Sequence, residues 1–342
     1  MINNLTEADK LNEELFYDNL DNLYISSSSL KILLDSPKKY YEYYVLNKKE
    51  QKIGKHFDEG SLVHCMVLEP EELKNKFTNI GLTVPSDNIK ECINYIFKNR
   101  DINTIDPDLN KHTELILAYL KEINLYQSFA SDKKTPFITG DEKRVNKIIN
   151  ESSVDYFKIL CTSADKKIVD AETWDKCLAK ATAILNNPDA KYLLTSEVNQ
   201  DVACELELEE KDPNFKYGLK GIIDVIKVNR VDKIVYISDI KTTNSSLKEF
   251  KKSFDKYEYW LQAAIYSRLG KLLNKSNVDY KIIFSFIVVD CNNDVYCFEV
   301  LQDTMKTLEE DLIKLINVKF HYHIINKDFN LPYDFANKLV YL

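Results

Sequence analysis

No run of apolar residues in this 342-residue chain approaches the about 18 that a bilayer-crossing helix needs, so no membrane span is expected. The opening Met1-Ile-Asn-Asn-Leu-Thr-Glu-Ala-Asp9 lacks a basic region followed by an apolar one. No secretory signal is read there, and a cytoplasmic location is expected. There is no Cys-x-x-Cys pair. The seven cysteines are odd in number and irregularly spaced, which fits reduced thiols better than a disulfide framework. Glycine is also scarce, seven in all, so Gly60 and Gly221 draw notice. Finally, the chain lacks a cationic excess: its formal net charge is −8, which argues against a phosphate-binding surface spread over the whole molecule.

The positive charge that is present is clustered. Residues 31–55 hold seven lysines against three acids, interleaved with Tyr40, Tyr41, Tyr43 and Tyr44, and residues 241–256 hold five lysines against Glu249 and Asp255. Residues 1–21 carry six acids and one lysine. A two-signed surface of this kind can focus an anionic ligand on one face. For either cluster alone, a solvated helix face is the plainer reading. With 44% apolar residues, the chain suffices for one large domain or for a core with an elaborate insertion.

Residues 1–23 read as an acidic, mobile leader. A helix follows near 27–46, with Ser26 to Ser29 as N-cap candidates and Pro37 as a break, and another near 59–69. Residues 71–200 read mostly helical, with breaks at Pro85, Asp106-Pro107, Pro136 and Asn187-Pro188. From about residue 201 the apolar period shortens to two. Strands are predicted over Val202–Glu209, Leu219–Val228, Lys233–Lys241, Lys281–Val289 and Val295–Val300, the last two forming a hairpin. Helices are predicted around 247–270 and 303–318. Strands flanked by helices imply a central mixed sheet in an α/β or α+β domain.

Chemistry enters at the ends of two of these strands. One closes on Asp239-Ile240-Lys241 and the other, Leu219-Lys-Gly-Ile-Ile-Asp224, on a carboxylate. Alternation puts Asp239 and Lys241 on one face and Ile240 on the other. Two carboxylates and an amine can then converge. A hard cation such as Mg²⁺ takes oxygen ligands, while a neighbouring ammonium orients water and neutralises phosphate charge. Asp-x-Lys by itself also occurs where a strand simply leaves a sheet for solvent. An unpaired carboxylate in an apolar strand is costly, so Asp224 requires a metal or a cation beside it. His64 lies one turn after Gly60, in an apolar stretch where glycine leaves room for close approach, and is a candidate ligand; a satisfied core histidine is the alternative. Gln262 and Tyr266, four apart, share a helix face. Glu205 shares a strand face with Glu207, and Glu197 ends the preceding helix; Glu197 and Glu205 are the candidates for a further acidic ligand.

In chain order, Gly60-x-x-x-His64, Gly221-Ile-Ile-Asp224, Asp239-Ile-Lys241-Thr-Thr and Gln262-x-x-x-Tyr266 resemble a PD-(D/E)xK nuclease of the RecB/RecE branch, most nearly the RecE-type phage exodeoxyribonucleases. The segment Ile25-Ser-Ser-Ser-Ser-Leu-Lys-Ile-Leu-Leu-Asp-Ser-Pro37-Lys-Lys-Tyr-Tyr resembles the start of that family, so the likeness runs from about Tyr24 to about Val300. Three features depart from it. Asp224 and Asp239 stand 15 residues apart, which makes the Val228–Lys233 turn somewhat long, a change a surface tolerates. His64 and Asp224 stand 160 apart, which implies a helical insertion over about 84–180 and a catalytic core over about 197–300, within a single nuclease domain at 24–342. Ile223 stands where the family's first motif has proline.

The resemblance implies a restriction-endonuclease-like core, α/β (α+β), with a central mixed sheet flanked by helices and an N-terminal helical region. It implies one or two Mg²⁺ or Mn²⁺ ions held by Asp224, Asp239, the Ile240 backbone carbonyl and His64. Lys241 would orient or deprotonate water, and Gln262 and Tyr266 would position Lys241 and the DNA backbone. No iron–sulfur cluster is expected, since only Cys291 and Cys297 have a suggestive spacing. DNA would lie along Lys38, Lys39, Lys220, Lys248, Lys251 and Lys252. The implied activity is 5′-to-3′ degradation of one strand from a duplex end, leaving a 3′ overhang for a single-strand annealing protein in recombination. A homo-oligomeric ring, in the cytoplasm of a bacterial or phage-infected cell, is implied by analogy. Two other readings stay open: a structure-specific or single-strand endonuclease of phage replication or repair, and a catalytically silent DNA-binding or assembly protein that keeps the fold.

Overall fold

The computed structural model describes residues 5–48, 55–79, 85–100, 107–130, 139–162, 166–273 and 280–340. Of the positions singled out above, Lys49, Lys52, Val84, Asp106 and Pro136 lie outside these, as does the side chain of Lys55. The chain divides into two compact units, one formed by 1–69 together with 179–342 and the other by 70–178. In chain order the strands are β1 (Tyr24–Ile25), β2 (Phe77–Asn79), β3 (Lys167–Val169), β4 (Gln200–Glu210), β5 (Gly218–Asn229), β6 (Ile234–Thr242), β7 (Lys281–Val289) and β8 (Val295–Val300).

In the first unit, six of these make one mixed sheet in the order β1-β5-β6-β7-β8, with β4 also on β5. β5 and β6 are an antiparallel hairpin, β6 and β7 run parallel, and β8 returns antiparallel to β7. The Lys281–Val289 run is almost continuously apolar because β7 is paired on both edges and covered, as central strands are. Parallel neighbours need a crossover connection, and the chain between β6 and β7 supplies one as the helices Phe250–Lys256 and Tyr259–Leu273. The longer helix lies on the sheet: Leu261, Ala263, Ile265 and Leu269 are fully buried in one core with Leu219, Ile223, Ile237 and Phe284. The opposite face is held at Lys227. Its buried ammonium donates to the carbonyls of Tyr192 and Thr195, where the Pro188–Leu194 helix ends. The result is a mixed sheet between helices, the α/β class predicted from the strand and helix periods.

The acidic segment at 1–23 departs from its expectation as a mobile leader. Glu7–Asp18 is a helix with a capping box: Asp9 N–H donates to Thr6 Oγ1 at 3.2 Å and Thr6 N–H to Asp9 Oδ2 at 2.9 Å. Phe16 and Tyr17 pack against the core, and buried Asp9 pairs with Lys48 at 2.5 Å. A high acid count concealed this apolar side. Further on, Ser26 and Ser29 form a second capping box that starts the Ser27–Asp35 helix. Pro37 ends that helix and opens a new one, capped by Ser36.

The second unit, taken by itself, is mostly helical, with β2 and β3 paired in parallel. Its Asp87–Asn99 helix buries Ile89, Cys92, Ile93 and Ile96, an i, i+3, i+4, i+7 stripe. These pack with Ile116, Leu120, Val145, Ile148 and Phe157 from neighbouring helices. Buried Arg144 donates to the carbonyls of Leu120 and Leu125 at 2.6 and 2.8 Å, satisfying the end of the Thr113–Glu122 helix. Among the described residues no helix is long and apolar enough to cross a membrane.

Candidate active site

The β5–β6 hairpin sets the centre of the site. Its ladder ends at Val225↔Ser238, so the next residues, Asp224 and Asp239, stand opposite one another. Opposed residues of antiparallel strands share a face. The spacing of 15 residues between the two acids is thus the length of this hairpin, whose turn is closed by Asn229 Oδ1 accepting from the amides of Val231 and Asp232. Both acids are buried, 7% and 1% exposed. Asp224 Oδ2 accepts the Ile240 amide hydrogen at 2.7 Å. Asp239 Oδ1 accepts from Gln262 Nε2 at 3.0 Å, and its other oxygen pairs with Lys241 Nζ. Burial, and then the charge of Asp239, raise the Asp224 carboxyl well above the ordinary carboxylate range. Burial would disfavour the charge on Lys241, but Asp239 and Asp224 outweigh it and push the amine up to about 12.

His64 arrives on the Lys55–Leu68 helix, which passes the end of β6 in the reverse direction. Gly60 lies beside Thr242, and His64 Nε2 donates to the Ile240 carbonyl at 2.8 Å. Four helical residues rise about 6 Å and two strand residues span about 6.7 Å. The Gly-x-x-x-His spacing therefore matches two positions of the strand. A carbonyl only accepts, so the proton sits on Nε2 and the Nδ1 side faces Asp224 Oδ2 at 3.6 Å and Glu205 Oε1 at 3.8 Å. Burial alone would lower the imidazole pKa, but the carboxylates of Glu205, Asp224 and Asp239 outweigh it and hold it at about 9. The Ile240 carbonyl, expected as a metal ligand, accepts from His64 and keeps a second lone pair for a cation. One expectation needs adjusting here. A β-carbon on Gly60 would meet Thr242 Oγ1 at 3.6 Å, an ordinary contact, so close approach does not require glycine there.

Glu205 owes its place to its backbone. It lies between the pairs Cys204↔Val225 and Leu206↔Ile223, level with Asp224, and its φ of 48° interrupts the ladder at that point. A left-handed non-glycine residue inside a strand is disfavoured and persists only where its surroundings demand it. Ligating atoms of His64, Glu205 and Asp224 all lie within 4.8 Å of one another. Two carboxylates and an imidazole suit a divalent cation. Carboxylates that keep a proton on His64 at about pH 9 mark a place where positive charge is favoured. Glu197, the other candidate acid, is exposed in the turn before β4, where its charge acts on Lys227 instead.

Gln262 and Tyr266 do share a helix face, 3.4 Å apart from Nε2 to hydroxyl. Gln262 bonds Asp239 rather than Lys241, so any influence on the lysine passes through that carboxylate. Burial pushes the Tyr266 phenol up to about 12. The residue missed by sequence reasoning is Tyr259, whose ring centroid lies 4.9 Å from Lys241 Nζ. Its signal was available, since Tyr259, Gln262 and Tyr266 follow a three-then-four spacing on one helix face.

Residues 24–287 match the family model of the PD-(D/E)XK nuclease superfamily. The chain belongs to that superfamily. The matched span holds every PD-(D/E)XK position discussed above, from His64 through Asp224, Asp239 and Lys241 to Tyr266. A crystal structure from Eubacterium rectale, of a protein provisionally named an exonuclease, is similar at 12% identity over 95% of this chain and 87% of that one, with a TM-score of 0.44. No curated protein matches.

None of the six lysines expected along DNA joins the cluster of this PD-(D/E)XK site. Lys38, Lys39, Lys220, Lys248, Lys251 and Lys252 are all exposed. Lys39 pairs with Asp35 at 3.4 Å, Lys220 with Glu209 at 3.7 Å and Lys252 with Glu249 at 2.6 Å.

Proposed function

We propose that this PD-(D/E)XK protein is a metal-dependent deoxyribonuclease of the RecE type, degrading one strand of duplex DNA 5′ to 3′ from an end and leaving a 3′ overhang. The observation that carries the reading is the facing of Asp224 and Asp239 across β5 and β6, with Lys241 paired to Asp239 and His64 and Glu205 alongside Asp224. Asp224, Glu205 and His64 Nδ1 would hold Mg²⁺ or Mn²⁺, with Asp239 facing the same space. When bound, such a cation lowers the pKa of water and neutralises charge on a phosphate.

The remaining work falls to the chain. Lys241, held at about 12, stays an ammonium at neutral pH. It therefore donates hydrogen bonds to water or to a phosphate oxygen rather than taking a proton. Asp239 fixes that ammonium, and Gln262 fixes Asp239. A water oxygen bonds to phosphorus as the P–O3′ bond breaks; the water gives up one proton to solvent and the leaving 3′ oxygen takes one from solvent, giving a 5′-phosphate and a 3′-hydroxyl. His64 donates from Nε2 to Ile240, which orients its other nitrogen toward the carboxylates.

The same reading makes the 70–178 unit an insertion in the nuclease domain and the six exposed lysines DNA contacts. A homo-oligomeric ring and a single-strand annealing partner belong to it by resemblance. The test is incubation with linear and covalently closed duplex DNA, each with Mg²⁺ or with EDTA, beside an Asp239→Ala control. Metal-dependent loss of the linear DNA alone is expected. Cutting of the closed circle would replace the exonuclease with an endonuclease, and binding without any cleavage would leave a silent DNA-binding protein.

A further inference from the structure

Lys31 stands out among the lysines of its segment. It sits on the Ser27–Asp35 helix, half-buried, with Nζ 5.1 Å from the centroid of the Tyr259 ring. Lys241 Nζ lies 4.9 Å from the same centroid. The two ammonium groups thus share one aromatic ring, and their separation cannot exceed the sum of those distances. Lys39 and Lys48 of the same segment have carboxylate partners, Asp35 and Asp9, and Lys241 has Asp239. Among the described residues, Lys31 pairs with no carboxylate, and its ammonium faces the Tyr259 ring. A partly desolvated cation without a counter-anion is unfavourable, and an aromatic face compensates only in part. Asp239 and Glu258 act on it from a distance, against the repulsion of Lys241.

We propose that Lys31 is a second phosphate-binding cation of this site: it takes a non-bridging oxygen of a phosphodiester flanking the one that is cut, while Lys241 serves the cut phosphate. The inference rests on the nuclease reading above. Burial and the neighbouring Lys241 lower the Lys31 amine to about 8, so it is still mostly an ammonium at neutral pH, and a phosphate oxygen supplies the counter-charge that offsets both its burial and the repulsion of Lys241. A strand bound through two adjacent phosphates is held at two points, which orients the cut linkage for in-line attack.

The test is a chemical double-mutant cycle on the full chain. Substrates carry a single uncharged methylphosphonate, moved one linkage at a time along the strand, and are presented to the wild type, Lys31→Met and Lys31→Arg. For the wild type, one flanking methylphosphonate should raise KM about tenfold, and Lys31→Met should do the same with charged DNA, more than it lowers kcat. Combined, the two changes should add nothing further. Lys31→Met should also reduce the slope of log affinity against log salt by about 0.7 to 0.9, with Lys31→Arg keeping it. Independent, additive effects at every linkage, or an unchanged salt slope in Lys31→Met, overturn the proposal and leave Lys31 as packing for Tyr259. A wild-type chain that neither binds nor cuts DNA removes the nuclease reading itself, and this inference with it. The wild-type and Lys31→Met arms therefore fail separately.

Discussion

The Tyr266 ring occupies the space that a β-carbon on Gly221 would need: its Cε1 atom lies 2.6 Å from that position. Gly221 in β5 thereby lets the phenol descend onto the sheet, where its hydroxyl meets Gln262, the residue that holds Asp239. Gly221→Ala should displace the ring, destabilise the first unit by about 1–3 kcal/mol and lower activity through Asp239. Gly60→Ala, which meets an ordinary contact within a helix, should be neutral or gain up to about 1 kcal/mol. Urea unfolding of the two variants gives the comparison. Equal losses would refute the difference in packing.

Divalent metal should stabilise the folded chain in the absence of DNA. At a metal concentration one hundred times its Kd the gain is about 2.7 kcal/mol, visible as a rise in Tm with Mn²⁺ or Mg²⁺. Glu205→Gln should weaken metal binding at least about tenfold, within the range seen when a metal's supporting groups are removed, while Glu197→Gln should leave it unchanged. The reverse ranking would return Glu197 to the site and leave the left-handed Glu205 as a local distortion.

Removing the ammonium separates catalysis from metal binding. Lys241→Met should reduce the cleavage rate by about 10²–10³, the scale of losing one preorganised donor. Metal affinity should hold or increase, since a neighbouring positive charge is gone. A variant that loses metal binding in step with activity would show Lys241 to be a structural partner of Asp239 only.

Away from the site, buried Asp212 ties the β4–β5 connection to the crossover helix through Arg268, with Nε to Oδ2 at 2.7 Å. Burial opposes ionisation of Asp212, but the Asn214 amide and the Arg268 guanidinium prevail and hold its carboxyl below the ordinary aspartate range. Because the folded pKa lies below the unfolded one, this contribution is complete above about pH 4 and is lost as the pH falls through the folded value. Asp212→Asn should therefore cost about 3 kcal/mol near neutral pH, with the gap to wild type narrowing in acid. Denaturant unfolding at pH 7 and pH 3 measures it; a gap that does not shrink would contradict the ionic account.

Much of this arrangement was legible because it depends on spacing. The hairpin length places Asp224 against Asp239, and the equal rise of four helical and two strand residues accounts for Gly60-x-x-x-His64. What was not legible depends on backbone conformation or on long-range packing. Glu205 enters the cluster through a φ of 48°, which period-two reasoning cannot foresee. Asp9 and Lys48 look like members of two opposed charge blocks, yet they pair across the fold. Lys31 resembles Lys38 and Lys39 in sequence, yet it lies on the helix before Pro37 with its ammonium near Tyr259, while they lie exposed on the helix after it.

The central claim is that the paired carboxylates of β5 and β6 drive hydrolysis of DNA. The most direct measurement is the initial rate of phosphodiester cleavage of linear duplex DNA in Mg²⁺ by wild type and by Asp224→Asn, with both proteins confirmed folded by circular dichroism. The account predicts cleavage by the wild type that EDTA abolishes, and a fall of at least about 10³ in the variant. A folded Asp224→Asn protein that cuts DNA at the wild-type rate would contradict it.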